Sequence, residues 1–433
     1  MNQILFFLLF SIYLFGQNTT NDSIIYFNKK KLFSESFQKS FANEIATVEK
    51  NYTGKLKKDL VNAYKKFSVH LGLEIAEDNF SFDDSFDSVL KLTLQKFNLS
   101  ALGKIDEHNF AIKKEVDSNA FCLPNGTIIV NLGMFDLVDN EHQLAAVLAH
   151  EIGHKSLNHN LISIQKYYQT TPIDLEKIKE IKKSKYNRAD LALEFAKETF
   201  YKNAKENRKM ELQADSIGYV LFKQSGFEKT QFIEAMKKIE NDKSFQKQIV
   251  IDSLVYTQIF NLPKQIYKPS WTKNEDFSDY NYNLYKEKID KDSVSTHPEW
   301  KIRIERIETL FPELKINPKN KPENPKTSPK FSEAKKLANL KRIETLDFQK
   351  EYGLALYLCL FELGKEPKNE FYRQWLGKLF HKLAESLDKY ELNKHLEHKN
   401  PKDQTDSYMF FLNFIWNLNY DEMQTIANHY TKK

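Results

Sequence analysis

The sequence predicts an α+β fold: a mostly helical domain with a small β-sheet beside one of its helices, followed by an all-helical C-terminal domain. Three observations carry this. Apolar residues recur at helical spacing through most of the chain, as in Phe86, Val89, Leu90, Leu94 and Phe97. Only two short stretches read as strands, and they lie close together, at Phe110–Val116 and Thr127–Leu132. Between Asn317 and Lys330 four prolines stand among Lys, Asn, Glu and Ser, a composition that favours an extended linker. The expected domains are therefore residues 18–316, a linker over 317–330, and a helical domain over 331–433.

The elements follow in chain order. Ile4 to Phe15 is apolar and is followed by Gly16 and Gln17. At about 12 residues it has the length of a signal-peptide core and falls short of the roughly 20 that a membrane-spanning helix needs. No Lys or Arg precedes it, so the leader is a weak one, and no Cys stands near its end to carry a lipid. The expectation is a signal peptide over 1–17 and an exported protein, periplasmic or secreted, with no membrane span in its mature chain. Residues 18–105 read as mainly helical. Asn125-Gly126 supplies turn chemistry just before the second strand.

A helix then starts at Asn140, with Gln143 three positions on as in a capping box, and Leu144, Val147 and Leu148 form its apolar face. Residues 163–205 are charged and helix-forming, broken at Pro172. A further helix runs from Asn207 to Ser225 and stops at Gly226. Residues 241–290 are polar but dotted with aromatics, from Tyr256 and Phe260 to Tyr282 and Tyr285, and fit either a lid or rings packed under a long loop. Beyond the linker, Leu354-Ala355-Leu356-Tyr357-Leu358 and Phe410-Phe411-Leu412 are helical clusters. Pro367 followed by Leu376-Gly377 resembles a tetratricopeptide repeat, without a clean period of about 34 residues.

Composition narrows the function. The chain has 433 residues, 41% hydrophobic and 28% charged, with 64 basic against 59 acidic side chains. Lys and Glu are interspersed rather than gathered on one face, which speaks against a nucleic-acid partner. Two cysteines so far apart as Cys122 and Cys359 imply no disulfide framework and read as unpaired thiols.

The chemistry lies in His150-Glu151-Ile152-Gly153-His154. Two histidines four apart on a helix share one face, so both rings can reach a single ion. The residue after the first lies about 100° round the helix, where a carboxylate can reach a water on the metal without binding the metal itself. Chance produces this pattern on the order of once in a hundred such sequences. Gly153 is an odd choice for a merely stable helix. A catalytic zinc needs a third protein ligand. The metzincin pattern would need Gly at 157 and His at 160, but Leu157 and Asn160 stand there, and His159 is one position out of place. His159 is read instead as solvated, or as touching a ligand ring rather than the metal. Glu211 and Asp215, four apart on a second helix, supply the alternative. Glu211 would bind the ion, and Asp215 would hydrogen-bond the far nitrogen of a ligand histidine and fix its tautomer.

Three segments, in order, resemble the zinc metallopeptidase family of HtpX and the CAAX prenyl endopeptidase. They are Asn119 to Gly126, Leu144 to His154, and Arg208 to Asp215 with the turn Ser225-Gly226-Phe227. A fourth, Thr296-His297-Pro298 with Arg303 and Ile304 behind it, resembles the family's late histidine-proline motif. The likeness covers roughly residues 110–310. Glu299 and Gln213 depart from residues common in the family, and neither change removes a ligand or the base. Without membrane helices, the chain is most similar to the soluble periplasmic branch, the β-barrel assembly-enhancing protease, whose relatives carry a C-terminal helical repeat domain.

The resemblance implies an endopeptidase acting on exported or misfolded proteins, with one Zn2+ per chain held by His150, His154 and Glu211, and Glu151 as general base. It implies His297 as the oxyanion's partner, although a histidine before Pro298 also suits a plain helix start. It implies an extended substrate adding beside the strand near Thr127 to Val130, with Asn119 and Ala120 lining the cleft. The competing reading is a chaperone or scaffold whose helical C-terminal domain binds protein partners while the metal site is latent or plugged. The retained Glu151 speaks against it, since a structural site needs no base.

Overall fold

The computed structural model describes residues 2–97, 110–169, 207–242, 245–273, 300–315, 325–401 and 404–431. In chain order the elements are α1 (Asn2–Asn51), α2 (Gly54–Ala76), β1 (Phe80–Ser81), α3 (Asp84–Lys96), β2 (Phe110–Lys113), β3 (Ala120–Cys122), β4 (Ile128–Asn131), α4 (Met134–Leu137) and α5 (Glu141–Ser156). Helices α6 over 159–169 and α7 over 207–224 follow. Then come α8 (Thr230–Glu240), α9 (Phe245–Gln248), α10 (Ser253–Phe260), α11 (Trp300–Leu310), α12 (Pro329–Phe348), α13 (Tyr352–Lys365), α14 (Glu370–Asp388), α15 (Asp406–Trp416) and α16 (Tyr420–Thr431). The molecule is thus mostly helical with one small sheet, the expected class. No helix among the described residues is long and apolar enough to cross a membrane.

The described residues form two compact units. The first gathers the chain up to 114, then 118–240 and 300–334; the second gathers 115–117, 241–273 and the chain from 335 onward. In the first, the sheet order is β1-β2-β4-β3. Strands β2 and β4 run parallel, while β1 and β3 pair antiparallel on the outside. Two-residue β1 and three-residue β3 were not foreseen, being too short to show an alternation. The expected strand at Phe110–Val116 stops at Lys113. Phe33, Phe37, Phe41, Leu60, Tyr64, Phe80 and Ile129 form the core that α1, α2 and the sheet share. The turn before β4 is built as read. Gly126 takes φ +88°, and the Asn125 side-chain oxygen accepts the Thr127 N–H at 3.2 Å.

The second unit is all helical around Tyr256, Phe260, Leu356, Phe380 and Phe414. Trp271 is buried in the same core, so the described aromatics of the 241–290 stretch are packing rings rather than a lid. Phe277, Tyr280, Tyr282, Tyr285, the segment 170–206 with Pro172, and linker residues 317–324 lie outside the described residues. Both cysteines are buried and free.

Candidate metal centre

Helix α5 is fixed at its start. The Asn140 side-chain oxygen accepts the N–H groups of His142 and Gln143, each at 3.0 Å. Gln143 reaches back one residue further than a capping box would, and its Oε1 accepts the Asp139 N–H at 2.8 Å. Gln231 of α8 accepts from both Asn140 Nδ2 and Gln143 Nε2 at 3.0 Å. Leu144, Leu148, Ala149 and Ile152 are fully buried, so the helix cannot rotate without exposing them.

Its second half and α7 bring the predicted ligands together. The Nε2 atoms of His150 and His154 lie 3.1 Å apart, and the Glu211 carboxylate oxygens stand 3.4 and 3.3 Å from them. Donor atoms of the three residues all fall within 4.8 Å of one another. Asp215 Oδ1 sits 2.9 Å from His150 Nδ1, the contact expected of it. Arg303 of α11 was not foreseen in this role. Its guanidinium grips Asp215 through two bonds of 2.8 and 2.6 Å and lies 3.2 Å from Glu211. Burial works against ionised Asp215, but the hydrogen bonds from Arg303 and His150 outweigh it and hold the carboxyl below its ordinary range. Burial likewise disfavours a charged His150 ring, yet hydrogen bonds to Asp215 and Glu211 lift it to about 10. The space between the two rings and Glu211 therefore favours positive charge. Two imidazole nitrogens and one carboxylate fit a divalent cation there.

Gly153 finds its reason in the crossing of α5 and α7. A Cβ on it would lie 2.7 Å from the Ala214 carbonyl oxygen. Gly218, which no sequence pattern singles out, does the same from the other side, its Cβ direction 3.0 Å from the Ala149 carbonyl and the His150 backbone. These two glycines let the histidine helix and the carboxylate helix approach closely enough to share an ion. Helix propensity alone makes Gly153→Ala stabilising by roughly 1 kcal/mol. The contact predicts the reverse: a loss of about 1–3 kcal/mol and at least tenfold weaker metal binding, because the ligand pairs are pushed apart. A thermal melt and a chelator competition on the variant check both signs.

Glu151 faces the edge of the sheet. Its Oε2 accepts the Cys122 N–H of β3 at 3.2 Å. Burial raises its pKa against the pull of His150 and His154. Asn160 Nδ2 donates to the Cys122 carbonyl at 2.7 Å, so both outward backbone groups of Cys122 are engaged. The expected docking strand needs correction. β4 lies between β2 and β3, so residues 128–130 offer no edge to an incoming chain, and the edge near Glu151 is β3. Within it the two anticipated residues differ. The Asn119 carbonyl is spent on the Asn131 N–H at 2.8 Å, whereas the register turns the backbone of Ala120 away from β4. His159 is buried, not solvated, with its Nδ1 3.1 Å from His154 Nδ1; burial and the neighbouring ring pull its pKa down to about 4. His297, with Pro298 and Glu299, lies outside the described residues.

Comparison with known proteins agrees with this centre. The chain is 26% identical over 146 residues to the metalloprotease YcaL of Escherichia coli (strain K12), a match covering 34% of this chain and 56% of that protein. It is 30% identical over 110 residues to the mitochondrial metalloendopeptidase OMA1 of Arabidopsis thaliana, covering 25% of this chain and 21% of that one. The chain thus spans just over half of the first relative and about a fifth of the second. The model of peptidase family M48 matches residues 87–310, just over half of the chain, a range that holds His150, Glu151, His154, Glu211 and Arg303. On that match, the chain belongs to peptidase family M48.

Proposed function

We propose that the protein is a zinc-dependent endopeptidase that hydrolyses peptide bonds of exported or misfolded proteins. The observation that carries the reading is the convergence of His150, His154 and Glu211 within 4.8 Å, with Glu151 next to a ligand and half-buried beside the sheet edge. Three such donors with one position left open are the set that catalytic zinc takes, and zinc held there supplies Lewis acidity and a water acidic near pH 7. Glu151 accepts the proton of the attacking water and passes it to the leaving amine. The Cys122 N–H keeps its carboxylate aimed meanwhile. Ala120 offers its outward backbone to an extended substrate, Asn119 lines the same edge, and His297 partners the developing oxyanion. Export through residues 1–17 and partner binding by the helical C-terminal residues belong to the same proposal.

The test uses leader-less protein and a fluorescently labelled unfolded protein such as casein. We expect one zinc per chain, cleavage that a chelator abolishes, and recovery on adding zinc back. Native protein without bound zinc, or cleavage indifferent to the chelator, overturns the reading. Zinc-loaded protein that cleaves nothing favours the scaffold alternative.

A further inference from the structure

Both ligand rings must turn an unprotonated Nε2 towards a shared cation, so in both the proton sits on Nδ1. Each Nδ1–H then needs an acceptor on its far side, and the two rings find different ones. His150 has Asp215, itself held by Arg303. His154 has, among the described residues, His159, whose Nδ1 is 3.1 Å from its own, the two rings edge-on with centroids 5.0 Å apart. Of two imidazole nitrogens in contact one must donate. With the proton on His154, His159 accepts through the Nδ1 lone pair and carries its own proton on Nε2, and the Gln213 side chain is a further hydrogen-bond partner of the ring.

The backbone is arranged for this contact. Helix α5 ends at Ser156, and Asn158 adopts the left-handed φ of +54°, which turns the chain so that α6 starts with His159 under His154. His159 is 4% exposed, so no water competes strongly for the bond.

We propose that His159 is the positioning residue of the second ligand: a neutral histidine that fixes the tautomer and tilt of His154 as Asp215 fixes those of His150. The proposal rests on the zinc reading above. It makes the two halves of the centre unequal, one ligand backed by an anion and an arginine, the other by an uncharged ring and an amide.

Two variants of the full leader-less chain test it. Asparagine places its Oδ1 where His159 has Nδ1, so His159→Asn keeps an acceptor; His159→Leu keeps bulk and removes it. Zinc affinity is read by chelator competition, and ligand geometry by the visible absorption of the Co2+-loaded protein. We expect His159→Asn to stay within about threefold of wild type and His159→Leu to bind roughly 10–100-fold more weakly with an altered Co2+ spectrum. A leucine variant as tight as wild type overturns the proposal, as does an asparagine variant as weak as leucine, which would leave packing alone. Should the leucine variant not fold, the asparagine variant decides: a tenfold loss there overturns it. Wild type that binds no zinc removes the zinc reading itself, an outcome distinct from either.

Discussion

Glu151→Gln should leave zinc bound and lower proteolytic turnover by about 10²–10⁴-fold, the range by which a positioned general base accelerates proton transfer. The amide keeps the size of the carboxylate, and its Oε1 can still accept the Cys122 N–H, so the sheet edge stays where it is. Glu151 lies outside the 4.8 Å cluster formed by His150, His154 and Glu211, so zinc content should not change. What the variant loses is the ability to take a proton. Zinc content by metal analysis and initial rates on an unfolded substrate separate the two effects. A glutamine variant with more than a tenth of wild-type turnover would show that another group acts as base. Neither His159, held neutral and aimed at His154, nor Asp215, saturated by Arg303 and His150, is placed to substitute.

Much of this centre was legible because its logic is local. His150 and His154 are four apart, as are Glu211 and Asp215, and helical periodicity alone puts each pair on one face. The pairing of the two helices was not legible from periodicity; Gly153 stood out only as an odd choice for a stable helix, and the Ala214 backbone that crosses it supplies the reason. Gly218 did not stand out, since the purpose of a glycine is set by what crosses it. Arg303 stood behind a recognised motif, but nothing in the sequence ties it to Asp215, which is 88 residues away. Strand order is non-local in the same sense. Thr127 to Val130 reads as a good strand and is one from Ile128, but only the pairing of β4 with both β2 and β3 shows that no chain can add to it. His159 was read as solvated or as touching a ligand ring, and its 3.1 Å approach to His154 is the second of these. Its meaning came from the turn at Asn158.

Arg303→Met should cost roughly 3–5 kcal/mol of stability in the metal-free protein, the penalty for leaving a buried charge without its partner. Arg303 is 3% exposed and serves two carboxylates at once, Asp215 through a two-bond fork and Glu211 at 3.2 Å, while its guanidinium lies 4.1 Å over the Trp300 ring. Methionine fills much of the volume and can lie against Trp300, so the loss is electrostatic rather than a cavity effect. Removing the arginine leaves two acidic groups one helical turn apart, with His150 as their main positive counterweight. Zinc changes that balance, because a dication beside Glu211 neutralises one of the two charges. The destabilisation should therefore be clearly smaller in zinc-loaded protein. At about 2–4 °C per kcal/mol, the metal-free melting temperature should fall by on the order of 10 °C. Arg303→Lys should recover only part of it, since an ammonium cannot reproduce the fork. Melting curves of the three proteins with and without zinc decide the matter. A methionine variant that melts within about 2 °C of wild type in the absence of metal would mean that His150, protonated between Asp215 and Glu211, already balances the cluster alone.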